Sequence, residues 1–384
     1  MTAFLMALPD RRLVVFTLAL LGLGLVGVYG ASSYEATRLG LPGWSIALNH
    51  ATRVGIGLAA CALLSVVPYR TTCRLALLVG VPASLSLMAL TVVGGTHVAE
   101  SAGIGRWLRI FNLSVQPVDL AKLSLVLALP YWMHKHPELR TRMRGGLSRV
   151  LLPLGLLLLL LALQPNFGSA LALSLLSFCI FYLGGVRLRY LSFFALLGTG
   201  GTWLAHAHVG KLQTRVADWI AVLTNGDAGG TMMQSVRALT AIGSGGMFGE
   251  GVGRSTMQLR FLPESDTDFV FAILSEEMGF IGAAALVLLF AFWVARATKI
   301  ALRCRDDLAQ LVAFAIAAMI AIYASLNLLM VTAMIPVAGL PLPFVSRGGS
   351  ALVTNMAACG VLLNIARCAC KSPRVADRWG GMPL

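Results

Sequence analysis

The sequence predicts an all-α polytopic membrane protein of about ten transmembrane helices, and three observations carry that prediction. The 384 residues are 58% hydrophobic and 12% charged, with a mean hydropathy of +0.81. A soluble domain would not expose so little charge. Apolar runs long enough to span a bilayer lie near 13–31, 50–67, 75–94, 117–133, 149–163, 167–184, 189–207, 268–295, 308–335 and 350–367. They are continuous rather than alternating, which favours helices over a barrel.

The net charge of +14 could suggest nucleic acid, but its distribution does not. Every alternate loop is basic: Arg11 and Arg12, Arg70 and Arg74, Lys135 to Arg149, Arg187 and Arg189, Arg296 to Arg305, and the tail from Arg367. These stretches hold 19 cations and five acids, a difference equal to the whole net charge. This is the positive-inside pattern, with both chain ends cytoplasmic, and no nucleic-acid partner is needed. The first apolar run is too long for a signal-peptide core and reads as an uncleaved helix. None of the seven cysteines falls in a predicted outer loop, so a disulfide framework is not expected. Cys368 and Cys370 form too short a motif for a metal and read as reduced thiols.

In the first three spans buried charge is sparse. Gly27 to Ala36 is rich in small residues that allow close helix packing. Arg53 stands near the outer end of span two, where it can snorkel. The outer loop 95–116 carries Arg106, Trp107 and Arg109. Outward cations run against the topology rule. Trp107 suits an interface anchor, and the paired arginines suit an anionic headgroup or phosphate.

Span four opens on Pro117, well placed for a first helical turn. Asp119 and Lys122 follow at i and i+3 on one face. A self-neutralising buried pair accounts for them without chemistry, yet such a pair can shape a cavity or hold a catalytic group. A tight outer turn, Leu163 to Ala170, joins spans five and six. There Gln164 is either a satisfied polar group or a cavity lining. His206 and His208 end span seven, and residues i and i+2 on a helix do not share a face, so they read as interface residues.

Residues 208–267 form one long outer loop between helices seven and eight, and a segment of this length is usually functional. Its cations include Arg215 and Arg254. Met233 to Ile242 reads as a short amphipathic helix lying in the interface. The glycine run Gly243–Gly253 does not match a dinucleotide fingerprint and suits tight turns or close backbone approach to a ligand.

The stretch Phe261–Gly282 organises the rest. Glu264, Asp266 and Asp268 precede an apolar helix that contains Glu276 and Glu277. A carboxylate at the mouth of a membrane helix is costly and therefore a functional candidate, although an acid there also complements the helix dipole. The last outer loop, Ile335–Ser350, is stiffened by Pro336, Pro341 and Pro343 and adds Ser346 and Arg347. Asn327 in span nine is expected to bond another helix. The tail 368–384 is short, basic and cytoplasmic. The unexpected polar groups thus gather at the outer half of the membrane, where they suit a substrate with a lipid tail, a pyrophosphate and a polar headgroup.

Four stretches carry a resemblance: VQPVDLAKL (Val115–Leu123), LQPNFGSA (Leu163–Ala170), Ala241–Gly282, and Ile335–Asn355. In these the chain resembles the SEDS family of shape, elongation, division and sporulation proteins, as a single integral membrane domain over 1–384. It looks most like the FtsW cell-division branch, with the RodA elongation branch close. The resemblance implies a peptidoglycan glycosyltransferase that polymerises lipid II at the septum of the bacterial cytoplasmic (inner) membrane and releases undecaprenyl pyrophosphate. It implies Asp268 as the essential acid, with Asp119 and Lys122 as a buried pair near the cavity. Arg106, Trp107, Arg109, Arg215, Gln234, Arg254, Glu264, Ser346 and Arg347 complete the candidate substrate-binding set. A divalent cation, Mg2+ or Mn2+, is expected as cofactor. A class B penicillin-binding protein transpeptidase and other divisome proteins are the expected partners.

The chain departs from the family pattern in four places: Asp119 for Glu, Asn166 for Asp, Asp266 for His, and Arg347 for Tyr. Asp266 adds a charge beside the expected base, which Arg347 would offset if it lay nearby. Two other functions compete. A lipid II flippase would need an inverted repeat and polar residues open to the cytoplasm, and neither is visible. A non-catalytic division scaffold would not need Asp268.

Overall fold

The computed structural model describes residues 10–93, 105–110, 113–140, 148–196, 198, 210–225, 233–256 and 266–369. Helix occupies each of the ten apolar runs, the seventh as far as residue 196. Six helices are long and apolar enough to cross a membrane: α1 (Arg11–Arg38), α2 (Ser45–Val66), α3 (Tyr69–Val93), α10 (Val270–Arg303), α11 (Asp307–Val331) and α12 (Gly349–Ala369). Two more, α5 (Ser148–Leu163) and α6 (Phe167–Leu183), are apolar but shorter. Before them in the chain comes α4 (Pro117–Lys135), with Pro117 in its first turn and most of its side chains buried, so it is a core helix. Helix α7 occupies 188–196.

Small residues and a few polar ties hold the bundle together, as expected where lipid removes the hydrophobic drive between helices. Helix α1 lies on α10 through Gly27, which faces Leu274, and Gly30, which faces the Glu277 carboxylate. At the other end of this pair, Asp10 accepts from Leu13 N at 3.0 Å and pairs with Arg296 at 2.6 Å. Helices α2 and α12 are packed along their length. A Cβ at Gly57 would press on Leu352 and Met356, and one at Gly360 on the Cys61 backbone. Asn364 closes the break between α2 and α3, accepting from Tyr69 N at 3.0 Å and donating to Ser65 O at 2.9 Å.

Two features differ from the sequence expectation. The segment 95–116, expected as an outer loop, contains an antiparallel pair of strands, β1 (Leu108–Ile110) and β2 (Leu113–Val115), with Leu108 opposite Val115. Three-residue strands leave too short an alternation to read in a sequence. The long segment 208–267 is also not simply a loop. It holds α8 (Gly210–Asn225) as well as the anticipated amphipathic α9 (Met233–Ser244). The apolar residues Leu212, Val216, Trp219, Ile220 and Leu223 recur at helical spacing in α8, a period the reading of this segment as a loop passed over.

Candidate active site

The site is built at the end of the bundle that carries the β1–β2 pair, where the entry to α10 meets the loop between α11 and α12. Three consecutive residues, Asp266, Thr267 and Asp268, lie just before α10, which starts at Val270 rather than at Asp268 itself. Asp266 is buried; its main-chain oxygen accepts from Arg347 N at 2.9 Å and its carboxylate pairs with the Arg347 guanidinium. The offset anticipated for Asp266 is therefore present. Thr267 lines a cavity of about 180 Å³ with Arg53, Trp107, Ser114, Arg347 and Gly349.

Asp268 is half-buried. Its carbonyl oxygen accepts from Asn327 Nδ2 at 2.8 Å, and the same amide donates to Leu340 O at 2.6 Å. Asn327 thus bonds two backbone segments instead of another helix. Its donor is satisfied by irregular backbone, which sequence polarity cannot distinguish from an interhelical bond. The carboxylate Oδ2 of Asp268 lies 3.5 Å from where a Cβ would stand at Gly339. Gly339 has φ +67°, so glycine both allows the turn and leaves room at the acid.

One predicted cation braces this loop and another braces the turn between α5 and α6. Arg215, on α8, donates to Val337 O at 3.2 Å, and Trp219 on the same helix donates to Ala333 O at 2.9 Å. Arg106 donates to Gln164 O at 3.1 Å and Pro165 O at 2.6 Å. Burial, and then the nearby Arg215 charge, push the Arg106 guanidinium down from its ordinary range; burial does the same to Arg215. Both remain cations near neutrality, because arginine starts so high. Gln164 is a satisfied polar group, donating to Thr91 Oγ1 at 2.6 Å and to Met88 O at 3.3 Å. Asn166 caps α6 by accepting from Ser169 N at 3.4 Å.

The predicted pair on α4 forms: Lys122 Nζ lies 3.3 Å from Asp119 Oδ1, with both residues buried. The other Asp119 oxygen accepts from Ser350 Oγ at 2.6 Å, and Ser350 Oγ accepts from Gln116 N at 3.1 Å. Lys122 Nζ also stands 4.6 Å from the centre of the Tyr323 ring. The pair therefore ties α4 to the first turn of α12, next to Gly349 in the cavity wall.

Other predicted residues are placed differently. Ser346 is buried and accepts from Leu342 N at 2.8 Å, so it shapes its own loop. Gln234 is half-buried in the first turn of α9. The Arg254 side chain is exposed, and its backbone belongs to a turn held by Gly251 at 3.2 Å. That turn lies against Glu277, well along α10 from Asp268. Glu264 and the side chain of Arg109 lie outside the described residues.

The sequence did not reveal what Glu276 and Glu277 do. Helix α10 breaks at Gly279 (φ +67°, ψ −170°). The carbonyls of Glu276 and Glu277 accept from Glu250 N and Gly251 N, each at 3.0 Å. Phe280 N donates to Gly246 O at 2.8 Å and Ile281 N to Met247 O at 3.3 Å. The Glu276 carboxylate accepts from Ser255 Oγ, from Thr256 N at 2.9 Å and from Thr256 Oγ1 at 2.8 Å; Glu277 accepts from Gly253 N at 2.8 Å. The glycine run therefore approaches the backbone of α10, not a ligand. A Cβ at Gly245 or Gly249 would fall on the Ser275 or Glu277 carbonyl. The legible signal was two adjacent acids in an apolar helix downstream of a glycine-rich segment.

Among the described residues, no three His, Cys, Asp or Glu side chains converge on a possible metal. A divalent cation fits this end of the bundle only in the manner usual for Mg2+, held by one or two carboxylates and substrate phosphates.

Residues 11–371 match the cell cycle protein family that groups FtsW, RodA and SpoVE. Stage V sporulation protein E of Bacillus subtilis is 32% identical over 366 residues, covering 94% of this chain and 97% of that protein. A probable peptidoglycan glycosyltransferase FtsW of Geobacter metallireducens is 30% identical over 358 residues, covering 93% and 94%. A chain from a peptidoglycan synthase complex, described in terms of coordinated polymerization and crosslinking, superposes with a TM-score of 0.75 at 27% identity, covering 95% of this chain and 99% of that one. The rod shape determining protein RodA of Thermus thermophilus superposes with a TM-score of 0.65 at 29% identity, covering 94% and 97%.

Proposed function

Because the chain belongs to the SEDS family, with FtsW, RodA and SpoVE among its members, we propose that it is a peptidoglycan glycosyltransferase acting on lipid II. The observation that carries this reading is the placement of Asp268. A half-buried carboxylate is fixed through its own backbone by Asn327, and it faces a side-chain-free position in a loop braced by Arg215.

Asp268 acts as general base. Its carboxylate takes the proton from the acceptor sugar hydroxyl. That oxygen bonds to the donor's anomeric carbon as the bond to the pyrophosphate oxygen breaks, with inversion through an oxocarbenium-like state. Undecaprenyl pyrophosphate leaves with the electron pair. Arg106 and Arg215 supply positive potential to this departure, while the Arg215 hydrogen bond keeps the loop in place and those of Arg106 hold the turn between α5 and α6. A divalent cation, held by substrate phosphates with Asp268 as the carboxylate at the mouth, would add charge neutralisation when bound.

Basic alternate loops put both chain ends in the cytoplasm and the site on the outer face of the bacterial cytoplasmic membrane, with ten spans. We assign the protein to septal synthesis with a class B penicillin-binding protein, since an FtsW stands among the relatives and a synthase complex among the structural matches. The test is to supply labelled lipid II to the purified full chain with its cognate transpeptidase and Mg2+. Glycan strands appearing with equimolar release of undecaprenyl pyrophosphate are expected. Movement of lipid II across vesicles without strand formation would support the flippase instead.

A further inference from the structure

We propose that Met330 is a positioning residue for Asp268: its thioether fixes the peptide before Gly339 and so sets the space beside the carboxylate. Ala338 N donates to Met330 Sδ at 3.1 Å, and Met330 is fully buried on α11. A thioether is a weak acceptor and usually serves as apolar filling. Here it takes the N–H of a partly buried residue in irregular backbone, where no helix or sheet ladder supplies an acceptor. A hydroxyl, amide or carboxylate in its place would bring polar atoms of its own into an apolar core. Sulfur meets the N–H and otherwise packs.

The same peptide unit is held at its other edge. Val337 O, which shares that peptide with Ala338 N, accepts from Arg215 at 3.2 Å. A guanidinium on the oxygen draws charge from the nitrogen and makes the N–H a better donor, which offsets the softness of the sulfur. The peptide is therefore clamped between a cation on α8 and a thioether on α11. The next peptide is confined too, because a Cβ at Gly168, in the first turn of α6, would fall on Ala338 O. Beyond Gly339, Leu340 O accepts from Asn327, which stands one turn before Met330 on the same face of α11. Met330 and Asn327 thus hold the chain on either side of Gly339, the residue whose missing side chain leaves room at Asp268 Oδ2. The Asn327 amide also reaches the Asp268 carbonyl, so the proposed base and the loop facing it are both fixed to one helix. With the sulfur removed, the peptide before Gly339 is held by its oxygen alone. It can then tilt about that bond and carry Gly339 toward or away from the carboxylate.

This inference rests on the lipid II reading for the reaction, and its test separates the two. Met330→Leu conserves volume and removes the acceptor. Met319→Leu makes the same exchange at another fully buried methionine of α11 and serves as the control. Hydrogen exchange over residues 337–340 of the full chain in nanodiscs, followed by mass spectrometry, reads the contact itself. Polymerisation of lipid II with the cognate transpeptidase and Mg2+ reads its consequence. Met330→Leu is expected to speed that exchange at least ~5-fold and to lower kcat ~10-fold with KM for lipid II held within ~2-fold, because placement of a base counts in the transition state and not in substrate binding. Met319→Leu is expected to match the unsubstituted chain in both readouts, whatever either substitution does to the thermal midpoint. Unchanged exchange in Met330→Leu would show that the sulfur holds nothing and would overturn the proposal. Faster exchange with kcat unchanged, or an equal loss of kcat in the two variants, would overturn it as well. Each of these results leaves the glycosyltransferase reading intact. Absence of strands from the unsubstituted chain would instead remove that reading and the positioning role with it, even where exchange responds as expected.

Discussion

Asn327 Nδ2 donates to the carbonyl oxygens of Asp268 and Leu340, at 2.8 and 2.6 Å, so one buried amide on α11 sets the distance between the proposed base and the loop that faces it. The position of Asp268 therefore depends on a residue that would not touch substrate.

Asn327→Leu removes this donor and leaves two carbonyls without it, at about 1–3 kcal/mol for each buried group left unsatisfied. The variant is expected to unfold at a lower temperature and to polymerise lipid II at least ~10-fold more slowly, the cost of misplacing a base by a fraction of an ångström. Asn327→Asp, which cannot donate, is expected to behave alike. Thermal midpoints and turnover on the same preparations check this.

Asp266 and Arg347 are coupled through both backbone and side chain. Arg347→Ala strands a buried carboxylate and is expected to cost about 3 kcal/mol, while Asp266→Asn with Arg347→Gln costs less than the two single changes together. A double-mutant cycle by denaturant or thermal unfolding should give a coupling of about 1–3 kcal/mol.

Lys122→Met breaks the buried pair with Asp119 and exposes the Ser350 contact to an unbalanced charge. Loss of about 3–5 kcal/mol is expected, with α12 loosened at its first turn. Asp119→Asn combined with Lys122→Met should recover part of that loss. Hydrogen exchange at residues 349–353 reads the loosening directly.

Glu276→Ala removes the acceptor for Ser255 and Thr256. The segment 246–256 is expected to become sensitive to protease, while residues 349–369 stay protected. Gly249→Ala should have a similar effect for a different reason: φ +81° and a Cβ directed at the Glu277 carbonyl are both unfavourable to alanine.

The contrast between these sites shows what a sequence carries. The spans, the Asp119–Lys122 pair and the packing role of Gly27 and Gly30 follow from composition and helical spacing, and all are local. Asn327 was legible as a polar residue in an apolar helix, but its partners lie 59 and 13 residues away in irregular backbone. The glycine run was legible as close approach. That it approaches α10 could not be read, because the break at Gly279 that frees the carbonyls is itself a tertiary feature. Helix α8 was legible in the helical spacing of Leu212, Val216, Trp219, Ile220 and Leu223 although the segment was read as a loop, whereas the β1–β2 pair was hidden because its strands are three residues each.

The central claim is that Asp268 is the base of a lipid II polymerase. The most direct measurement compares the unsubstituted chain with Asp268→Asn, each purified with its cognate transpeptidase and supplied with lipid II and Mg2+. The amide keeps the shape of the side chain but cannot take the acceptor's proton. Glycan strands from the first and none from the second, with equal thermal midpoints, are the predicted result. Strands of equal length and rate from both would contradict the account.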